Sequence, residues 1–138
     1  MTVVYLCGPM ADATLAEQVA WRDSATELLG PRCSTRSPLR WDNFAITDQS
    51  ITWRDYYDVT HCDVVLARFI GATAVSIGSC IEIGWATALQ IPVVLVMEAS
   101  GTGDLHNQHD HPMIRYLVAY RTDDLRDACR WIRTLRPD

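Results

Sequence analysis

The chain contains no lysine. All 12 of its basic residues are arginine, set against 17 Asp and Glu for a net charge of −5. A mildly acidic chain without a basic run argues against a nucleic-acid polymer as partner, though not against a single nucleotide. No CxxC pair occurs, and the five cysteines (Cys7, Cys33, Cys62, Cys80, Cys129) are odd in number and scattered. Neither a zinc ribbon nor a disulfide framework is indicated, and free thiols in a reducing cytoplasm are expected. No apolar run approaches the roughly 20 residues of a membrane-spanning helix. No charged segment precedes the first apolar run, so no signal peptide is expected. GxGxxG, Walker and GxSxG sequences are all missing, which leaves dinucleotide binding, P-loop phosphoryl transfer and serine hydrolysis without support. The expectation is one cytoplasmic domain over residues 1–138, with no membrane partner.

Thr2 to Cys7 is a short β-branched and aromatic run ended by Gly8-Pro9, the pattern of a buried first strand. Thr14-Leu15-Ala16-Glu17 reads as a capping box opening a helix with Leu15, Val19, Ala25 and Leu28 or Leu29 inward, stopped by Gly30-Pro31. Cys33 to Ser37 is a weak second strand. Residues 38–51 form a long loop carrying Trp41, Asp42, Asn43 and Phe44, and such loops in compact domains often serve function. Thr52-Trp53-Arg54-Asp55 is expected to cap the next helix, Asp63 to Ala67 to form the third strand and Ile91 to Met97 the fourth. Between those strands, Ser76 to Gly84 sits at a strand-to-helix junction whose helix ends near Gln90. A polar loop over 99–111, a short helix over 112–118 and an edge strand at Ala119 to Arg121 follow. Thr122 caps a last helix with Leu125, Ala128, Cys129, Ile132 and Leu135 on one face.

Strands alternating with helices, the central ones apolar on both faces, predict an α/β fold. It is a single doubly wound, flavodoxin- or Rossmann-like domain with a parallel sheet of about five strands and helices on both faces. Ligands of such folds lie at the carboxyl ends of the strands. There Gly8-Pro9-Met10, the 68–78 loop and the 99–111 loop converge.

The Ser76–Gly84 stretch carries the most suggestive chemistry. Ser76, Gly78 and Ser79 let a ligand approach the backbone closely, and Glu82 is placed in the first turn of the helix. Ser79-x-x-Glu82 is itself a capping box, in which Glu82 accepts from the backbone N–H of Ser79. Against that stands a nucleophile kept ionised by the helix dipole and facing the ligand. Asp55 divides in the same way, between cap and acid. Asp58 reads as solvated helix surface and Asp63 as a turn anchor. Tyr5 is a core tyrosine by default, yet its place near the end of the first strand can set its hydroxyl beside a catalytic carboxylate. Trp41, Trp53 and Phe44 offer aromatic faces for a nucleobase. His106, His109 and His111, with Asp104 and Asp110, match no regular ligand spacing, so no metal is assigned.

Several stretches taken together resemble the nucleoside 2-deoxyribosyltransferase family and its nucleotide N-glycosidase relatives. They are Val4-Tyr5-Leu6-Cys7-Gly8-Pro9-Met10, Asp55 ahead of Cys62-Asp63-Val64-Val65, Gly78-Ser79-x-x-Glu82-Ile83-Gly84, Ile91-Pro92-Val93-Val94 and His111-Pro112-Met113-Ile114. They occur in the family's order and span most of the chain. The resemblance implies that Glu82 attacks C1′ of a (deoxy)ribosyl group, that Asp55 donates a proton or positions the base or sugar, and that Tyr5 orients Glu82. Substrate would lie against Gly8, Pro9, Met10, Ser76, Gly78 and Ser79; Trp41, Asp42 and Asn43 are added on the strength of their long loop, which the resemblance matches poorly. His111 and Met113 would act across the interface of a homodimer or larger homo-oligomer. The implied partner is a small-molecule nucleoside or nucleotide, with no metal or organic cofactor.

Base exchange is the reaction expected first, and hydrolysis of nucleoside 5′-monophosphates is the alternative. Ser76 stands where the transferases carry an acid, which favours the hydrolases. The first loop, Gly8-Pro9-Met10-Ala11-Asp12, carries no arginine for a phosphate, which does not; Arg22, Arg36, Arg40 and Arg68 are the substitutes. A non-catalytic nucleotide sensor using the same pocket is the reading from another class.

Overall fold

A computed structural model of the chain describes residues 1–10, 13–39, 47–101 and 106–136. Its elements run β1 (Thr2–Cys7), α1 (Leu15–Leu29), β2 (Cys33–Arg36), α2 (Asp48–Thr60), β3 (Val64–Arg68), α3 (Ile77–Ala88), β4 (Val93–Val96), α4 (Pro112–Arg115), β5 (Tyr120–Thr122) and α5 (Leu125–Arg133). The strands form one wholly parallel sheet in the order β2-β1-β3-β4-β5. This is the expected doubly wound α/β architecture.

Alternation along the strands sorts the core into two layers. Val4, Leu6, Val64, Leu66, Val94 and Val96 pack with Trp21, Ala25 and Leu29 of α1 and with Ala128, Cys129 and Ile132 of α5. Tyr5, Cys7, Val65, Ala67, Val93 and Leu95 face the other way, against Val59 of α2 and Ile83 and Ala86 of α3. Each large aliphatic side chain fully removed from water contributes roughly 1.5–3 kcal/mol. β1 and β3 are neighbours, yet the helices that follow them cover opposite faces. A crevice therefore opens at their carboxyl ends, the usual ligand position in such sheets.

The helix boundaries show which local signals prevailed. Thr14 and Glu17 close the expected capping box, each backbone N–H donating to the other's side chain at 3.1 Å. Gly30 ends α1 at φ 75, a conformation that favours glycine. The inward stripe of α1 is rotated from the expected one: Gln18, Trp21, Arg22, Ala25 and Leu29 are buried, whereas Leu15 is exposed. α2 starts earlier than expected, capped by Thr47. Thr52 lies inside it, its hydroxyl donating to Asp48 O. Asp58 is buried rather than solvated. α3 begins at Ile77 with Ser76 as its N-cap, so Ser79 is its third residue and Glu82 belongs to the second turn. Asp124, not Thr122, caps α5, and Leu135 lies beyond that helix and exposed.

Gly8 is dictated by close approach, since a Cβ there would sit 3.0 Å from Arg68 O and 3.0 Å from Trp21 Cζ2. Past the end of α3, Gln90 adopts φ 59 and Ile91 N–H returns to Ala86 O at 2.9 Å. Among the described residues all five cysteines are free, and no helix is long and apolar enough to cross a membrane. Trp41, Asp42 and Asn43, with Arg40, Phe44 and Asp104, lie outside the described residues.

Candidate active site

Three side chains from three elements meet on the α2–α3 side of the sheet, near the carboxyl end of β1. Tyr5 points to that side because it alternates with Val4 and Leu6, which face α1. Glu82 is three residues after buried Ser79 and four before buried Ala86, so it shares the inward stripe of α3. Asp55 comes from α2, and its charge acts on both Tyr5 and Glu82. The start of α3 is drawn onto β1 by Cys7 Sγ, which donates to Ser79 O at 3.7 Å. The Ser76 hydroxyl donates to the Ser79 hydroxyl at 2.7 Å.

Electrostatics set this cluster apart. Burial, joined by the charge on Asp55, pushes the Glu82 carboxyl up from its ordinary 4.5 to about 7, while the Tyr5 hydroxyl and Arg22 pull the other way. Burial, then the charges of Glu82 and Asp55, drive the Tyr5 phenol far above its ordinary range, so it keeps its proton. The Tyr5 hydroxyl is close enough to stabilise the Glu82 charge, yet neither Tyr5 Oη nor Glu82 Oε2 completes a well-formed hydrogen bond. A carboxyl held near neutrality beside a second acid and a permanent hydroxyl donor suits nucleophilic or acid–base work.

Glu82 is therefore neither a capping residue nor a carboxylate kept ionised by its helix. No acidic residue lies in the first turn of α3, and Ser76 makes no side-chain cap there. Asp55 likewise lies in the body of α2 rather than at its start.

Arg22 completes the electrostatics from beneath. It is 3% exposed, and its guanidinium donates to Leu6 O at 3.4 Å, Gly8 O at 3.4 Å and Gln18 O at 3.1 Å. It also lies 4.5 Å from the centre of the Trp21 ring. Those contacts make it a support of the first loop that feels the Glu82 charge. Its role was hidden in the sequence because Leu15 and Val19 offered a competing apolar phase for α1.

The other anticipated residues separate into two groups. Gly8, Pro9 and Met10 form the turn after β1, held by Gln18 Nε2 donating to Met10 O at 2.6 Å, and Pro9 borders a cleft of about 670 Å³ with Gln18, Trp21, Arg68 and Thr73. Glu82, Tyr5 and Asp55 are not among the described residues lining that cleft. Another cavity, of about 690 Å³, opens at the far end of the sheet between Thr2, Arg32, Arg130 and Arg133. Gly78 is exposed with open space where a Cβ would go. His111 caps α4, its Nδ1 accepting from Met113 N–H at 3.1 Å. Met113 and Trp53 are exposed.

Residues 4–114 match the family model for nucleoside 2-deoxyribosyltransferase. The chain belongs to the nucleoside 2-deoxyribosyltransferase family. Similar solved structures share its fold at low identity. A 2-desoxiribosyltransferase from Leishmania mexicana matches with a TM-score of 0.74 and 15% identity, over 99% of this chain and 100% of that one. A 2-deoxyribosyltransferase from Bacillus psychrosaccharolyticus gives 0.67 and 19%, over 91% and 89%. A CMP N-glycosidase from Clostridium botulinum gives 0.65 and 20%, over 98% and 100%. None of the curated proteins matches the sequence significantly. In this nucleoside 2-deoxyribosyltransferase family member, the acidic cluster lies near the carboxyl end of β1, and folds of this kind receive ligands at the carboxyl ends of their strands.

Proposed function

We propose that the chain cleaves the N-glycosidic bond of (2′-deoxy)nucleosides or nucleotides through Glu82, most simply as a deoxyribosyltransferase. The observation that carries this is the meeting of Glu82, Tyr5 and Asp55 at the ligand end of the fold. In the first step a Glu82 oxygen attacks C1′ as the C1′–N bond breaks, and the leaving base takes the bonding pair and a proton from Asp55. An ester of Glu82 with the sugar remains. An acceptor base then attacks C1′, returns its proton to Asp55 and frees Glu82. Two displacements retain configuration, as in retaining glycosidases. Tyr5, which keeps its proton, steadies the Glu82 charge as it re-forms.

A second reading takes water as the acceptor. Ser76 favours it, because the residue at that place is a small hydroxyl bonded to Ser79 where an acid would hold the sugar of a transferase. Incubation with deoxynucleosides and their 5′-monophosphates, with and without a free base, separates the two. Base exchange marks a transferase; free base with sugar phosphate marks a hydrolase. A Glu82→Ala variant that still turns over either substrate would exclude Glu82 as nucleophile. Intact mass should reveal a sugar adduct on wild-type protein that the variant lacks. We also assign the protein to the cytoplasm and to a homo-oligomer, a state that light scattering would test.

A further inference from the structure

Among the described residues, the segment after β4 reaches the start of α3 through a buried histidine. His109 is 1% exposed and lies flat on Phe69, with ring centres 4.0 Å apart and planes 7° from parallel. Its Nε2 accepts the backbone N–H of Ser76, the residue that caps α3, at 2.9 Å. That N–H has no partner within the helix itself, and Ser76 supplies no side-chain cap. The imidazole performs the cap from outside.

The surrounding hydrogen bonds leave His109 one tautomer. Because Nε2 accepts, Nδ1 carries the proton and donates to Asn107 Oδ1 at 3.0 Å. The same oxygen accepts from His109 N–H at 3.0 Å. Asn107 Nδ2 donates to Phe69 O at 2.7 Å and to Glu98 Oε2 at 3.0 Å. Glu98 Oε1 in turn accepts from Gly71 N–H at 2.5 Å. The chain of contacts thus ties the segment after β4 to the loop after β3 and both to the N-cap of α3. Every donor and acceptor in it is matched, in contrast to Tyr5 and Glu82 nearby. Burial holds the His109 imidazole below its ordinary pKa, in keeping with the neutral ring that the cap requires.

We propose that His109 is a positioning residue: by accepting the Ser76 N–H it fixes the start of α3, and so the reach of Glu82 toward C1′. The inference rests on Glu82 being the nucleophile. Ser76 is six residues before Glu82, less than two helical turns, so a frayed start would move the carboxylate by a distance that matters for attack. Misplacement of about 1 Å can cost on the order of a hundredfold in rate.

The test compares His109→Leu, which keeps bulk but accepts nothing, with His109→Gln, whose side-chain oxygen can replace Nε2. Amide hydrogen exchange over residues 76–79, kcat, KM and melting temperature are measured for each. In His109→Leu, exchange over 76–79 is expected to quicken at least tenfold and kcat to fall at least tenfold with KM little changed. His109→Gln should stay within about threefold of wild type on all of these. As control, Ile132→Val on the far side of the sheet should lower the melting temperature and leave kcat unaltered. The proposal is overturned if the Leu variant keeps its kcat or its slow exchange. It is equally overturned if the Gln variant falls as far as the Leu variant, or if kcat merely follows melting temperature. Wild-type protein that turns over nothing would sink the reading of Glu82 instead, and exchange would still decide whether His109 anchors the helix.

Discussion

The two faces of the sheet are built to different standards. On the α1–α5 face, Val4, Leu6, Val64, Leu66, Val94 and Val96 meet apolar partners, and the buried charge of Arg22 is held by three carbonyls. On the α2–α3 face, the apolar layer is interrupted by Tyr5 Oη and Glu82 Oε2, both buried and without well-formed hydrogen bonds. Asp55 and Asp58 add acidic groups on the same side. A fold that satisfies polar groups so fully on one face has no structural reason to leave them strained on the other. Such concentrations of shifted acids mark sites under functional constraint.

Glu82→Gln should separate the faces most sharply. Turnover is expected to fall at least about a thousandfold, since an amide cannot serve as the nucleophile. Stability should move the opposite way. The folded carboxyl holds its proton up to about 7, whereas the unfolded one releases it near its ordinary 4.5. Wild-type stability therefore declines as pH rises through that window, and the cost is complete above it. The Gln variant lacks this slope and should exceed wild type by roughly 1–3 kcal/mol at pH 8, read by denaturant titration. The same ionisation makes wild-type kcat/KM rise with pH along its acid limb up to about 7.

The next effect belongs to the other face. Ile132→Ala should cost about 2–5 kcal/mol of stability with kcat unchanged below the shifted melting temperature. A proportional loss of kcat would show that the faces are not separable. Tyr5→Phe should lower kcat by about tenfold while stability changes by less than about 1 kcal/mol, because the lost hydroxyl had no complete hydrogen bond. Smallest of all, Thr14→Ala removes one half of the α1 capping box and should cost about 1 kcal/mol with turnover intact.

These contrasts also explain what could be read from the sequence. Apolar runs such as Val64 to Ala67 and the Gly-Pro ends of Cys7 and Leu29 mark buried strands and helix stops, because burial and missing Cβ atoms act locally. The parallel order follows from their alternation with helices. Helix starts were less legible. Thr47, Thr52, Ser76 and Ser79 are all acceptable caps, and tertiary contacts, among them the His109 bond to Ser76, decide between them. Glu82 was visible as a carboxylate at the right junction. Its shifted pKa was not, because it comes from burial in the folded domain and from the charge on Asp55, which is remote in sequence. Trp41, Asp42 and Asn43, expected to meet substrate because they lie in a long polar loop, are outside the described residues and remain expectations of the sequence.

The turn at Gln90 has a practical consequence. A residue other than glycine held at φ 59 bears a steric cost of roughly 1 kcal/mol, and a helix running antiparallel to the strands puts that turn at the end of the domain away from the carboxylates. Gln90→Gly relieves the crowding in an exposed side chain that touches nothing catalytic. It offers a thermostabilising handle for anyone wishing to harden the protein for preparative use, at a site where firmness does not compete with turnover.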